Sequence, residues 1–227
     1  TYNSLAIGVN ALTNSTVQEN LAIGNYALQC NVTGICNIAI GLSALANNTA
    51  TSNFAVGYKA LLCNTTGGCN TAIGGNTLYF NTTGARNVAV GFAAGEFNST
   101  GQQNVSVGYQ ANRSTTTGTG NVAVGNAANA AGGNTGGLNT AIGWQALSNN
   151  TGGSNTAVGA SALQNNTTGA SSVAIGRNAL CLNTTGCNNT GIGNNSLKSN
   201  TTGLYNTAIG NDTLSSNISG HNNVALG

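Results

Sequence analysis

Apolar residues recur along this chain in short bursts at a fixed period. A tetrapeptide of the form x-Ala-(Ile/Val)-Gly, with a few substitutions, occurs fourteen times, and its final residue (the marker glycine) returns every 16, 17 or 18 residues. The apolar positions never follow helical spacing over ten or more residues, so helices are not predicted. The marker glycines are Gly8, Gly24, Gly41, Gly57, Gly74, Gly91, Gly108, Gly125, Gly143, Gly159, Gly176, Gly193, Gly210 and Gly227.

One repeat unit has the composition of a solenoid coil. Its consensus, N-T-A-I-G-x-x-A-L-x-x-N-T-T-G-x-x, holds a β-branched pentapeptide, a second apolar step at "AL" and glycine-rich turns. Such a unit is too short for a pair of helices. We therefore predict an all-β fold, a parallel β-solenoid (β-roll) of about 13 coils with a 17-residue repeat, forming one repetitive domain over residues 1–227. The pattern starts and stops within a unit, as expected for an excerpt of a longer fibre chain.

Stacking the coils turns each repeat position into a column. The residue before the marker glycine is Ile or Val in every copy except Leu226, which predicts a branched apolar core column. Four before the marker, Asn recurs as in Asn20 and Asn37, which predicts a ladder of amides that bond from coil to coil. The marker glycine itself predicts a corner with positive φ or a close approach of two backbones.

The residue two before the marker glycine is small throughout and alternates with the Ile/Val column. It should therefore point to the opposite face of the strand. A strand with constrained apolar residues on both faces is usually covered on both. Two interpretations stay open: a second chain covers this face, most simply in a trimer, or Ala fills a narrow solenoid.

The composition argues against several classes of protein. Charged residues are 4% of the chain, against roughly 25% in typical soluble proteins. An apolar content of 40% with so little charge is the opposite of the disordered signature. No apolar run approaches the roughly 18 residues of a membrane span. No two cations are sequence neighbours, so the basic patch of a nucleic-acid partner is missing.

A turn six or seven residues after the marker glycine carries Asn-x-Ser/Thr, the acceptor triplet for N-glycosylation of secreted chains. The middle residue varies, as Val32, Ser99 and Ile218 show, while the third stays Thr or Ser, which glycosylation requires. The alternative is the turn chemistry of Asn and Gly. Asn104 also starts a triplet but belongs to the predicted ladder, so no glycan is expected there. The predicted glycosylation sites are Asn14, Asn31, Asn47, Asn64, Asn81, Asn98, Asn149, Asn166, Asn183, Asn200 and Asn217.

The six cysteines occur in pairs six residues apart, and each pair flanks such a turn. A zinc site favours closer spacings such as C-x2-C, whereas a turn can bring each pair to disulfide distance. Three local disulfides are predicted, and with the glycosylation triplets they indicate an oxidising, extracellular setting. The last pair starts one residue earlier relative to its marker glycine, so its geometry is expected to differ. The pairs are Cys30/Cys36, Cys63/Cys69 and Cys181/Cys187.

Catalytic chemistry is not predicted. Glu19, Glu96 and Asp212 lie in coils far apart, His221 is the only histidine, and no base is placed to activate a hydroxyl. No metal site and no cofactor are expected.

Binding of carbohydrate is the open alternative. An aromatic just after a corner more often packs over the edge of the solenoid. The candidate contacts are Tyr2, Tyr26, Tyr58, Tyr79, Tyr109, Trp144 and Tyr205. Aromatics clustered on one face would favour recognition.

The repeats "NTAIG" or "NVAVG" followed by "xxALxxNTTG" resemble repeat regions of phage and virus tail-fibre proteins and, more distantly, the head repeats of trimeric autotransporter adhesins. The resemblance implies a trimeric fibrous stalk of parallel β-rolls. We expect a structural subunit of an extracellular, N-glycosylated fibre or filament on a virion or cell surface, associating with copies of itself. The alternative is an adhesin or receptor-binding fibre that recognises a host surface or a carbohydrate.

Overall fold

The structure is a computed structural model that describes residues 3–130 and 135–227. Tyr2, one of the candidate carbohydrate contacts, lies outside the described residues. The packing of Cα atoms groups the chain into two compact units, Thr1–Thr117 and Gly118–Gly227. One continuous domain stays a prediction, and the two units are described separately below.

Seven three-residue strands form the first unit. They pair in parallel and in sequence order, with equivalent repeat positions opposite each other, as in Leu5 opposite Leu21. The strands are β1 (Leu5–Ile7), β2 (Leu21–Ile23), β3 (Ile38–Ile40), β4 (Phe54–Val56), β5 (Thr71–Ile73), β6 (Val88–Val90) and β7 (Val105–Val107).

The second unit is built in the same way, again with consecutive strands parallel and in register, as in Thr140 opposite Thr156. Its strands are β8 (Val122–Val124), β9 (Thr140–Ile142), β10 (Thr156–Val158), β11 (Val173–Ile175), β12 (Thr190–Ile192), β13 (Thr207–Ile209) and β14 (Val224–Leu226). The described residues contain no helix. The predicted all-β parallel β-solenoid, with about 13 turns of about 17 residues, is confirmed.

Three residues of each regular coil adopt left-handed backbone conformations without being glycine. In the coil that starts at Gly57 they are Lys59, Leu61 and Cys69, with φ of 55°, 53° and 60°. This conformation costs a non-glycine residue about 1–2 kcal/mol. Leu61 is fully buried, and burying a leucine side chain contributes about 1.5–3 kcal/mol. The burial of the leucine therefore offsets the strain at its own position.

The marker glycines occupy the corners that the sequence predicts. Gly74 has a φ of +134°, and a Cβ atom built on it would lie 2.5 Å from the carbonyl oxygen of Gly91 in the next coil. Both predicted reasons for glycine, positive φ and close backbone approach, are confirmed at this position.

The core column is not the one predicted from the sequence. Between the terminal strands, the alanine two before the marker glycine is fully buried, as are Ala60 and Leu61, three and four residues after Gly57. The Ile/Val column points outward instead: Ile73 is 38% exposed and Ile142 is 40% exposed. The prediction of a branched core is wrong because a coil of about 17 residues is too narrow. Its interior accepts Ala opposite Leu and leaves no room for a second branched column.

The ladder of asparagines four before the marker glycine is confirmed. Asn53 is buried, and its Oδ1 accepts a hydrogen bond from the backbone N–H of Asn70 in the next coil at 3.0 Å. Its Nδ2 donates to the carbonyl of Gly67 at 3.0 Å. Each such amide therefore satisfies one backbone N–H group and one backbone carbonyl that lie out of reach of water.

Candidate functional site

The outer strand face is a continuous, regular surface in each unit. It consists of the residues one and three before each marker glycine, which point away from the interior. In the first unit this face is apolar except for Thr71, and in the second unit threonines alternate with aliphatic residues. None of its residues is charged. Contiguous exposed apolar surface is the feature that marks interaction sites on many proteins.

A second column of asparagines lies seven residues after the marker glycine, and we call it the inner asparagine column. Asn81 is fully buried; its Nδ2 donates to Asn64 Oδ1 at 2.7 Å and to the Gly84 carbonyl at 2.9 Å. Asn98 Nδ2 in turn donates to Asn81 Oδ1 at 2.7 Å. The column members are Asn31, Asn48, Asn64, Asn81 and Asn98 in the first unit and Asn150, Asn166, Asn183, Asn200 and Asn217 in the second.

Eight of the eleven predicted glycosylation sites belong to this column. The atom that would carry the sugar, Nδ2, is a hydrogen-bond donor inside the coil in each of them, and only Asn217 is more than marginally exposed. A glycan at one of these sites would require the amide to leave the interior and to abandon its buried acceptors. Glycosylation of these eight stays a prediction, and their geometry does not favour it. The eight are Asn31, Asn64, Asn81, Asn98, Asn166, Asn183, Asn200 and Asn217.

The other three sites lie one residue earlier, six after the marker glycine. Asn14, Asn47 and Asn149 are exposed. In two of these coils the next residue, Asn48 or Asn150, takes the buried position of the inner column. Glycosylation of Asn14, Asn47 and Asn149 stays a prediction, and their geometry is compatible with it.

The inner asparagine column ends at Asn98 within the first unit. Asn98 Oδ1 is buried and accepts no hydrogen bond. The next coil has Thr115 at the equivalent position, and this threonine is buried as well. A threonine hydroxyl is shorter than an amide and leaves the acceptor of the previous coil unsatisfied.

No sulfur–sulfur bond joins the cysteines of any predicted pair in this structure. In the last pair each sulfur atom contacts the preceding coil or its own turn instead. Cys187 Sγ accepts from the backbone N–H of Ala170 at 3.3 Å and donates to the Thr185 carbonyl at 3.4 Å. Cys181 Sγ donates to Gln164 Oε1 at 3.7 Å. The six free thiols are Cys30, Cys36, Cys63, Cys69, Cys181 and Cys187.

The surroundings of the thiols set their acidity. Cys36 donates to Glu19 Oε2 at 3.3 Å, and this hydrogen bond raises the pKa of the thiol above its usual value. Burial raises the pKa of Cys63 and Cys181. Cys181 is buried whereas Cys30 is exposed, consistent with the expected difference of the last pair. Pairing of these thiols under oxidising conditions stays a prediction.

The remaining titratable groups are dispersed. Asp212 accepts from Asn195 at 2.8 Å, and His221 Nδ1 accepts from the backbone N–H of Leu204 at 2.9 Å, so both brace neighbouring coils. Among the described residues, no three His, Cys, Asp or Glu side chains converge as metal ligands. The same residues include no helix that is long and apolar enough to cross a membrane.

Aromatic and charged side chains gather at one place in the first unit. The Phe80 and Phe97 rings stack with centroids 5.1 Å apart, and Tyr79 meets Phe80 edge-on at 4.5 Å. Lys59 Nζ lies 5.0 Å from the centroid of Tyr58 and 6.0 Å from that of Tyr79. These distances fit ring stacking and cation–π attraction.

An ion pair borders this aromatic cluster. Arg113 Nε lies 2.7 Å from Glu96 Oε2, and the guanidinium carbon is 5.1 Å from the centroid of Phe97. An open pocket of about 280 Å³ lies beside the pair, lined by Tyr58, Lys59, Asn76, Tyr79, Phe80 and Glu96. The contact of Lys59 with Tyr58, chiefly a side-chain hydrogen bond, raises the pKa of the lysine, so it carries its charge at neutral pH.

Sequence reasoning found only part of this pocket. It named Tyr58 and Tyr79 as candidate carbohydrate contacts, but it did not connect Lys59, Phe80 or Glu96 with them. The available signal was an unusual concentration of aromatic and charged residues five and six positions after the marker in consecutive coils. Comparison of the chain with models of protein families, with curated proteins and with solved structures finds no match.

Proposed function

We propose that this chain is the repetitive shaft of an extracellular fibre and associates with copies of itself through the outer strand face. The observation that supports this proposal is the uncharged, largely aliphatic surface along the strands of each unit. Leaving branched side chains such as Ile73 in water is unfavourable, and pairing with an equally regular apolar face removes them from it. A second chain of the same sequence presents such a face.

Self-association can be tested by sedimentation velocity and electron microscopy of the purified chain. We expect oligomers that persist at micromolar concentration. Ile73→Lys places a charge in the middle of the outer strand face and should shift the distribution towards monomer. Thr83→Lys, at an exposed position on the turn side, is the control and should not. A wild-type chain that sediments as a monomer at all concentrations contradicts the proposal.

The extracellular setting has a separate test. We expect that secretion from eukaryotic cells yields a chain with glycans on Asn14, Asn47 and Asn149, mapped by peptide mass spectrometry. The inner asparagine column should stay unmodified in the folded fraction. A glycan on Asn64 in the folded fraction would contradict the burial of the inner asparagine column. A secreted chain without any glycan would contradict the proposal that the fibre is glycosylated.

Recognition of a surface glycan is the second candidate function. The observation that favours it is the aromatic cluster of Tyr58, Tyr79, Phe80 and Phe97, which breaks the regularity of the repeat at one location. A fibre shaft does not need such a patch, whereas a saccharide-binding surface does.

A further inference from the structure

The pocket beside the aromatic cluster is lined by residues from different repeat positions that lie on the same side of the coil. Tyr58 and Lys59 directly follow marker Gly57, whereas Tyr79 and Phe80 lie five and six residues after marker Gly74. The stacking of successive coils brings these side chains around one depression of about 280 Å³. This volume is close to the lower end of typical ligand pockets.

The walls of the pocket suit a pyranose ring. Tyr58, Tyr79 and Phe80 offer ring surfaces that can cover the C–H face of a sugar. The amide of Asn76 supplies one donor group and one acceptor, which a pair of neighbouring sugar hydroxyls requires. Flat apolar surface next to hydrogen-bonding groups favours a saccharide over a purely apolar ligand.

The charge of the pocket narrows the class of saccharide that fits it. The carboxylate of Glu96 is occupied by Arg113 at 2.7 Å. Lys59 has no carboxylate partner in the described part of the chain, and its ammonium lies over aromatic rings. The local balance is one uncompensated positive charge at the pocket wall, which favours an anionic ligand.

We propose that the pocket lined by Tyr58, Lys59, Asn76, Tyr79, Phe80 and Glu96 binds a saccharide that carries a carboxylate, with the sugar ring on the aromatic side chains and the carboxylate at Lys59. The inference rests on the second candidate function, recognition of glycans. It does not depend on the association of chains into a fibre.

Saturation-transfer NMR titrations of the intact chain with sialyllactose and with lactose test this assignment. We expect sialyllactose to bind about five-fold more tightly, the effect of one partly screened charge pair. Lys59→Gln should remove this preference while both sugars still bind. Tyr79→Ala should weaken both by about ten-fold. Leu182→Ala, which truncates an exposed apolar side chain at the same repeat position as Phe80 but in the second unit, is the control and should change neither.

The outcomes separate the site from the function. Equal binding of the two sugars overturns the acidic class and leaves glycan recognition standing. Loss of binding in Leu182→Ala with none in Tyr79→Ala places recognition elsewhere and overturns the site. Binding of neither sugar overturns both the site and the second candidate function. Far-UV circular dichroism of each variant verifies that the β-solenoid is intact.

Discussion

Replacing Thr115 by asparagine is expected to stabilise the first unit. Asn98 Oδ1 is buried without a hydrogen-bond donor, and Thr115 occupies the position from which the next coil would supply one. With the substitution, residues 115–118 read "NTTG", as the consensus does. The new Nδ2 can then donate to Asn98 Oδ1 as Asn98 itself donates to Asn81, at 2.7 Å.

The magnitude follows from the groups involved. A buried acceptor without a partner costs about 1–3 kcal/mol, and the substitution removes this cost. The bond that is lost, from Thr115 Oγ1 to Asn112 Oδ1, measures 3.5 Å and lies at the limit of hydrogen-bond geometry. Ordering the longer side chain costs roughly 0.5–1 kcal/mol. The net gain in the free energy of unfolding should be about 1–2 kcal/mol.

Hydrogen exchange followed by mass spectrometry measures this gain locally. Amides of residues 91–117 should exchange about 5–30-fold more slowly, the factor that 1–2 kcal/mol produces. Peptides from the second unit serve as the internal reference. Thr117→Asn, at an exposed position of the same turn, is the matched control and should leave exchange unchanged. Equal or faster exchange in Thr115→Asn would show that the inner asparagine column does not stabilise the coils.

Three further outcomes are expected. Gly74→Ala should lower the urea midpoint by the equivalent of about 2–4 kcal/mol, because the new Cβ meets backbone at positive φ, whereas Gly75→Ala beside it should cost less than about 1 kcal/mol. Asn81→Asp places a carboxyl group in the interior beside two carbonyl oxygens, and burial should raise its pKa in the folded state. The loss of stability should therefore grow as pH rises from about 4 to 7. Urea midpoints that do not change with pH would contradict this expectation. In the reduced chain, Glu19→Gln should lower the pKa of Cys36 and speed its alkylation near pH ~8, since the carboxylate no longer holds the proton on sulfur; an unchanged rate would argue against this contact.

Much of the fold could be predicted because backbone requirements repeat along the sequence. Glycine recurs at the repeat position of Gly74, because the corner needs positive φ. Asparagine recurs at the repeat position of Asn53, because a buried amide there bridges two coils. Alternation along the strand separates two faces but does not say which one is inside. Ile73 was therefore assigned to the wrong face, while for Ala72 the interior was one of two interpretations left open. The circumference of the coil decides which face lies inside, and the sequence of a single strand does not specify that circumference.

The candidate sites were harder to predict for a related reason. The turns were aligned by their triplets, although coil lengths of 16 and 17 residues shift the triplet by one position. Exposed Asn47 and buried Asn64 were thereby placed in a single set. The aromatic pocket needed knowledge of which columns share a side of the coil. Tyr58 and Phe80 are far apart in the repeat and become neighbours only when the coils stack.

The cysteine pairs were predicted from their spacing along the turn alone. Spacing says that Cys181 and Cys187 can approach each other, but not that each sulfur has a hydrogen-bond partner of its own. Those partners, Gln164 and Ala170, belong to the preceding coil, 17 residues away in the sequence. Contacts between coils therefore compete with contacts along the turn, and only the stacked structure reveals them.

The left-handed residues have a consequence for the order of events during folding. A lone coil, such as the one from Gly57, holds three strained residues, worth about 3–6 kcal/mol together, before any neighbour offers hydrogen bonds. Only stacking supplies the backbone pairing and the buried alanine and leucine contacts that outweigh this strain. Initiation is therefore unfavourable and extension downhill, as in the helix–coil transition. A nascent chain gains nothing from its first coil, and folding starts once several coils have been synthesised and can form together as a nucleus.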